Sequence, residues 1–182
     1  MKLHIKLYTY FLLLFFMFGF NEAISQQKKA KKARAKADVE TEAWRYQTEP
    51  MGDQVSAQGT VQFKVWQYNK KPFVAKEQAM KNAVHAVIFR GIQSSQRVRG
   101  FRALVDSNTQ SENSTYFDSF FENRGGKYMK FVSLAMEGGI GSGDVIKLKK
   151  EYKVGVVVVV RTSDLKKELE NDGILKSVRS IF

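Results

Sequence analysis

The stretch KVGVVVVVRTSDLKKELENDG, residues 153–173, runs five consecutive valines, 156–160, straight into a charged segment. Lys153 and Arg161 bracket only seven residues, far short of the ~20 apolar residues that a membrane-crossing helix needs. Valine is β-branched and favours strands, yet this run does not alternate with polar residues. A strand of that kind is either covered on both faces or shielded by its neighbours. Left free it would be prone to aggregate, so burial is a condition of solubility. The charged half reads as a helix, with Thr162 or Ser163 as cap, Asp164 in the first turn, Leu165 and Leu169 facing inward, and Gly173 as the stop. The reading is a buried strand feeding a capped helix.

Working outward, VIKLKKEYKVGVVVVVRT reads as one long, bent strand, with Gly155 as a bulge or close-approach point. Before it, GGIGSGD (138–144) is a hairpin loop. No Lys-Ser/Thr pair follows it and it leads into a strand, so the phosphate-loop alternative lacks its context. KYMKFVSLAME has strand character. NSTYFDSFFENRGG reads as a short helix capped by Asn113 or Ser114, ended by Gly125-Gly126, with Tyr116, Phe117, Phe120 and Phe121 on one face.

Further back, Val61, Phe63 and Val65 alternate with Gln62, Lys64 and Trp66, the period of a half-buried strand. In VAKEQAMKNAVHAVIFRGI, Ala79, Met80, Ala83, Val84, Val87 and Ile88 form one helical stripe, with Lys76, Glu77, Lys81 and Asn82 assigned to the outside. Gly91 is the stop, and the alanines allow close approach to a sheet. The fold class is therefore α+β, a small antiparallel sheet with a long alanine-rich helix and shorter helices packed on it.

These segments, AQGTVQFKVW, AKEQAMKNAVHAVI and YKVGVVVVVRTSDLKKELENDG, resemble the N-terminal domain of flagellar assembly protein T and related small exported envelope lipoproteins. The resemblance covers residues 57–92 and 144–173. It implies a helix lying across a small antiparallel sheet in a periplasmic or outer-membrane-associated assembly factor. The chain departs from it through an inserted segment, 93–126, and through the lack of a lipobox cysteine. The N-terminal signal and a glutamine-first mature end also resemble those of exported Bacteroidota proteins.

The chain has 182 residues, 43% hydrophobic, and no cysteine. That composition suits one globular domain and excludes disulfides, thiolate metal sites and a cysteine nucleophile. Lys2 and Lys6 precede an apolar run, YTYFLLLFFMFGF, and the small residues Ala23 and Ser25 then define a cleavage site before Gln26. Residues 1–25 read as a signal peptide, with an uncleaved anchor as the alternative, and the domain as exported to the periplasm or outer membrane. Residues 26–52 read as a basic and polar linker, with Trp44 and Tyr46 as candidates for folding back. The α+β domain then spans 53–182.

The net charge of +12 is concentrated in KKAKKARAK, where Lys28, Lys29, Lys31, Lys32, Arg34 and Lys36 stand without an acid. Such a run reads first as a solvated spacer and second as a tether to an anionic envelope surface. Arg97, Arg99 and Arg102 in RVRGFR form a second anion-binding candidate, weighed against a solvated loop. Export argues against a nucleic-acid partner.

For chemistry, His4 leaves with the signal, so His85 is the single histidine of the mature chain. It reads as a boundary residue, with a general-base role as the rival. Asp118 and Glu122 share a helix face but read as the solvated edge of the aromatic stripe. Asp106, Glu112, Glu137 and Asp144 lie in or near loops. No catalytic, metal or cofactor residue is assigned. The aromatic set Tyr116, Phe117, Phe120 and Phe121 is the candidate partner-binding surface, weighed against core packing. The functional expectation is a non-catalytic envelope interaction or assembly module with an envelope protein partner. The rivals are a small periplasmic hydrolase using carboxylates or His85, and an electrostatic envelope-binding protein using the basic tail.

If export proceeds as read, intact-mass analysis of the mature protein will show a chain beginning at Gln26, with the mass of one ammonia lost through cyclisation of that glutamine. A mass that retains residues 1–25 would instead establish the anchor.

Overall fold

The computed structural model describes residues 27–32, 35, 44–51, 59–96, 98–123, 125–135, 140–141 and 143–176. The expected signal peptide, Arg34, Lys36, Arg97 and Glu137 lie outside the described residues.

The valine run forms the centre of an antiparallel sheet. Strand β1 is Tyr46–Pro50, β2 is Val61–Asn69, β3 is Val132–Leu134, β4 is Val145–Lys147 and β5 is Tyr152–Val160. Along one edge β5 pairs with β2 over its whole length, from Val61↔Val160 to Asn69↔Tyr152. Its other edge is shared, with β3 at the Val160 end and β4 at the Tyr152 end. Strand β1 closes the β2 side. The fold is α+β, as the patterning implies.

Both faces of β5 are covered, by different means. Val154, Val156, Val158 and Val160 are fully buried, in register with Val65 and Phe63 of β2, beneath the helices. On the opposite face Gly155 lies across from Trp66, and Val157, 3% exposed, across from Lys64. There the cover is side chains laid flat. A Cβ at Gly155 would sit 3.0 Å from the Lys64 stem and 3.0 Å from the Trp66 ring. The Lys64 ammonium is tied to Asp144 at 2.7 Å, which holds its stem along the sheet. Gly155 is thus a close-approach point.

The long helix starts with a 3-10 turn at Pro72–Val74, continues as α1, Ala75–His85, and widens into a π-helical turn at Ala86–Arg90. Ala75, Ala79, Ala83 and Ala86 are fully buried, so the backbone sits close to the sheet. Buried amides set its register on β2. Gln67 donates to the Ala75 carbonyl, Asn82 donates to Gln67 at 3.1 Å, and Asn69 donates to Gln78 at 2.5 Å. Pairing offsets the cost of burying these groups, and among the described residues Asn82 Oδ1 is the buried side-chain atom left without a partner. Gly91 ends the helix at φ +72, its N–H on the Ala86 carbonyl at 2.7 Å.

Helices α2, Ser107–Glu112, and α3, Ser114–Phe120, follow, then a 3-10 turn at Lys127–Phe131. The last helix, α4, is Thr162–Asn171, with Leu165 and Leu169 fully buried. Its start is fastened to Gly59, whose carbonyl accepts from Thr162 Oγ1 and the Ser163 N–H, each at 3.0 Å. Gly59 is at φ +88, and a Cβ there would lie 2.4 Å from Ser163 Oγ. No other residue type fits without strain. Among the described residues no helix is long and apolar enough to cross a membrane.

Several expectations are corrected. Tyr46–Pro50, placed in the linker, is a sheet strand, so the folded unit begins before residue 53. The single bent strand over 145–160 is a hairpin, β4 and β5, turning at 148–151 where Leu148 N–H meets the Glu151 carbonyl at 2.8 Å. Lys149, Lys150 and Glu151 place three consecutive charged residues there, which suits a turn better than a continuous ladder. Among the described residues of KYMKFVSLAME, Val132–Leu134 form a strand and Lys127–Phe131 a 3-10 turn. Neither Asn113 nor Ser163 caps a helix through its side chain. Asp106 instead caps α2, accepting from the Thr109 N–H at 2.8 Å. Lys81 and Asn82, assigned to the outside, are buried.

Two substitutions test this core. Gly155→Val should destabilise the fold by about 1–3 kcal/mol through overpacking against Trp66 and Lys64. Phe63→Ala, removing a fully buried ring, should cost about 3–5 kcal/mol. Both are read from urea denaturation midpoints, and an unchanged midpoint for either would contradict the packing described.

Candidate functional site

Where β1 enters the sheet, the chain folds over the second half of the long helix. Trp44 stacks on the His85 ring, centroids 3.7 Å apart and planes 20° from parallel. Tyr46, the first residue of β1, places its hydroxyl 2.7 Å from His85 Nδ1. Phe89 and Phe121 close the remaining sides edge-on or tilted, at 5.0 and 5.9 Å. Arg90, carried by the π-helical turn, lies over the Tyr46 ring and donates to the Trp44 carbonyl at 3.0 Å. Trp44 itself has φ +47, a left-handed conformation costly for a bulky residue. The stack and the Arg90 hydrogen bond hold it there.

His85 is therefore no boundary residue: it is 5% exposed. Burial, with Arg90 and Lys81 adding to it, lowers its pKa from 6.5 to about 3. The imidazole is neutral at ordinary pH. Burial also raises the Tyr46 phenol well above its usual range. The hydrogen bond to the Tyr46 hydroxyl engages Nδ1 whichever of the two groups donates.

This cluster floors a cleft of about 530 Å³, lined by Trp44, Lys81, His85, Phe89, Gln110, Phe117, Asp118, Phe121, Glu122 and Asn123. That volume lies in the range of small-ligand and side-chain pockets. Lys81 reaches Asn123 at 2.8 Å and passes 5.5 Å from the Trp44 ring. Asp118 and Glu122 stand exposed at the rim, and Gln110 projects from α2. The arrangement is an aromatic floor with an acidic, polar rim and a buried lysine in its wall. A second cavity, about 570 Å³, lies on the other side of Trp44 against Arg45, Tyr46, Gln47, Tyr68 and Glu151.

The aromatic set read from the sequence divides. Phe117, Phe120 and Phe121 are buried, at 5%, 1% and 6% exposure. They are core residues, with Phe117 and Phe121 showing edges to the cleft, and they do not form an exposed docking face. Tyr116 is a tie between helices. Its hydroxyl donates to Asp172 at 2.6 Å, and Lys127 meets the same carboxylate at 2.8 Å. These two hydrogen bonds, Lys127 first, hold the Asp172 carboxyl below its usual range. Burial and Asp172 push the Tyr116 phenol up.

The anion-binding candidates lie elsewhere. Lys28, Lys29, Lys31 and Lys32 are exposed, as are Arg99 and Arg102, and none lines the cleft. Arg102 follows the bridge Ile92↔Phe101, which folds the 93–100 loop back on itself. Asp144 is engaged with Lys64 and Asp106 with its helix. Among the described residues no group of three or more His, Asp or Glu side chains converges in a form able to hold a metal ion.

Sequence reasoning missed Lys81, Phe89, Gln110 and Asn123 as cleft residues. The available signal was the pairing of an aromatic with His85 one helical turn apart, His85 and Phe89, below two aromatics upstream. Comparison with protein-family models, with curated proteins and with solved structures finds no match for this chain.

The depressed pKa of His85 yields a pH signature. The unfolded chain binds a proton near pH 6.5 that the folded chain refuses until about pH 3. The stabilisation is thus complete above pH 6.5 and is lost as pH falls through that window. Native protein should lose on the order of a few kcal/mol between pH 7 and pH 4. His85→Gln should flatten that slope, as measured by denaturant titration at each pH. Equal slopes would mean that His85 is not buried as described.

Proposed function

We propose that the chain is an exported, non-catalytic interaction module of the cell envelope, and that its recognition element is the Trp44–His85 cleft. The observation that carries the reading is the composition of that cleft. Its floor is aromatic, its histidine is neutral and hydrogen-bonded to Tyr46, its rim carries Asp118 and Glu122, and the buried Lys81 lines its wall. A base whose conjugate acid has a pKa of about 3 takes up a proton poorly at neutral pH. An aromatic pocket with a polar rim is suited to gripping an apolar or aromatic side chain flanked by polar groups, as anchors at protein interfaces are. The resemblance to the flagellar assembly protein T domain points in the same direction.

A second reading has one observation in its favour: His85, Asp118 and Glu122 line the same cleft. A small hydrolase would need one of those carboxylates to orient the histidine, whereas Nδ1 is engaged by Tyr46.

A photoreactive residue in place of Gln110 should give a discrete covalent adduct with an envelope protein in intact cells. One placed at Lys167 on α4 should not. Asp118→Lys with Glu122→Lys should reduce the adduct several-fold. No adduct, together with His85-dependent hydrolysis of ester or glycoside substrates by the purified protein, would replace this reading with the second.

A further inference from the structure

Among the described residues the large apolar side chains that stand exposed are Phe73, Met129, Val145, Ile146 and Leu148. All but Met129 gather at one end of the sheet. Asn69, Tyr152 and Lys147 lie in a single row across β2, β5 and β4. At ordinary strand spacing, Asn69 and Lys147 are about 10 Å apart. The turn 70–73 and the turn 148–151 therefore leave the sheet side by side. Phe73, 56% exposed, belongs to the first, and Leu148, 37% exposed, to the second. Ile146 and Val145 stand just behind, on opposite faces of the short strand β4.

Interleaved with these apolar tips are Lys70, Lys71, Lys147, Lys149 and Lys150, all exposed. Lys71 lies 5.7 Å from the Phe73 ring. Two acids are near: Glu151, paired with Arg45, and Glu77 in the first turn of α1. The end remains strongly basic.

We propose that this end of the sheet docks on an anionic phospholipid bilayer, with Phe73, Ile146 and Leu148 entering the headgroup–acyl boundary and the lysines meeting lipid phosphates. Charge complementarity selects the occupant. A soluble anion would satisfy the lysines but leave the apolar tips in water, and an apolar protein surface would bury the lysines without partners. A bilayer of acidic lipids satisfies both. The path of the chain agrees. Arg45 pairs with Glu151 in the hairpin turn and lies 4.4 Å from the Tyr68 ring, so the N-terminal region joins the domain at this same end. The surface is distinct from the cleft, with which it shares no residue.

The chain has no cysteine, so Leu148→Cys provides a unique thiol for an environment-sensitive fluorophore in the full-length protein. Lys167→Cys on α4, beyond the opposite end of β5, is the control. With phosphatidylcholine vesicles containing phosphatidylglycerol, the probe at 148 should brighten and shift to the blue, while the probe at 167 should not. High salt should weaken the response by screening. Lys149→Glu with Lys150→Glu should weaken partitioning at least about tenfold, since each basic residue at such a surface is worth roughly fivefold. Far-UV circular dichroism confirms that these exposed variants stay folded. Vesicle sedimentation without a response at 148 would show attachment through the N-terminal region alone and overturn the proposal. An equal response to phosphatidylcholine alone, or to soluble heparin, would overturn it as well.

Discussion

The burial of β5 on both faces is the constraint from which the remaining structure follows. A strand of unbroken valines presents apolar surface above and below, and water must be excluded from each side. On one side the alanine face of α1 comes close enough to seal Val154, Val156, Val158 and Val160. On the other, among the described residues, there is no second layer of helices over Gly155 and Val157. The Lys64 stem and the Trp66 ring lie across the strand instead, and the Lys64–Asp144 ion pair fixes that lysine in place. Gly155 is what makes this shallow cover possible, because any Cβ would lift it off.

The same closeness of helix and sheet leaves polar groups stranded inside. Gln67, Asn69 and Gln78 solve this between β2 and α1 by pairing with one another and with backbone. Asn82 does so through its amide N–H on Gln67, while its Oδ1 stays buried without a partner among the described residues. His85 solves it further along by bonding to Tyr46, and so requires β1 to be present. Trp44 then lies over the imidazole and forms the wall shared by two cavities. The cleft is thus a consequence of how one buried histidine is satisfied. Low basicity comes with it, since the apolar walls and the neighbouring Arg90 and Lys81 all oppose a charged ring.

Much of the architecture was legible because apolar periodicity reports burial directly. The alternation of Val61, Phe63 and Val65 and the stripe of Ala79, Ala83, Val84 and Val87 each have one physical meaning. Polar residues were less readable. Lys81 and Asn82 look solvated by type, yet each is buried through partners, Asn123 and Gln67, distant in sequence. β1 was hidden in a charged stretch ending at Pro50 because an edge strand needs little apolar surface and tolerates proline. The cleft was half visible. Its aromatics were noticed as a stripe, but that stripe is spent on the core, and the open surface left over depends on Trp44 and His85 meeting across the fold.

By itself the sequence determined the α+β class, the central position of the valine strand and the close alanine helix, because these rest on local period and side-chain size. The tertiary structure alone decided that His85 is neutral and enclosed, that Asp118 and Glu122 share its cleft, and that Phe73 and Leu148 stand together among lysines. Those facts depend on which distant residues are brought into contact. Solvation and charge belong to the assembled neighbourhood and not to the residue, so no single stretch of chain carries them.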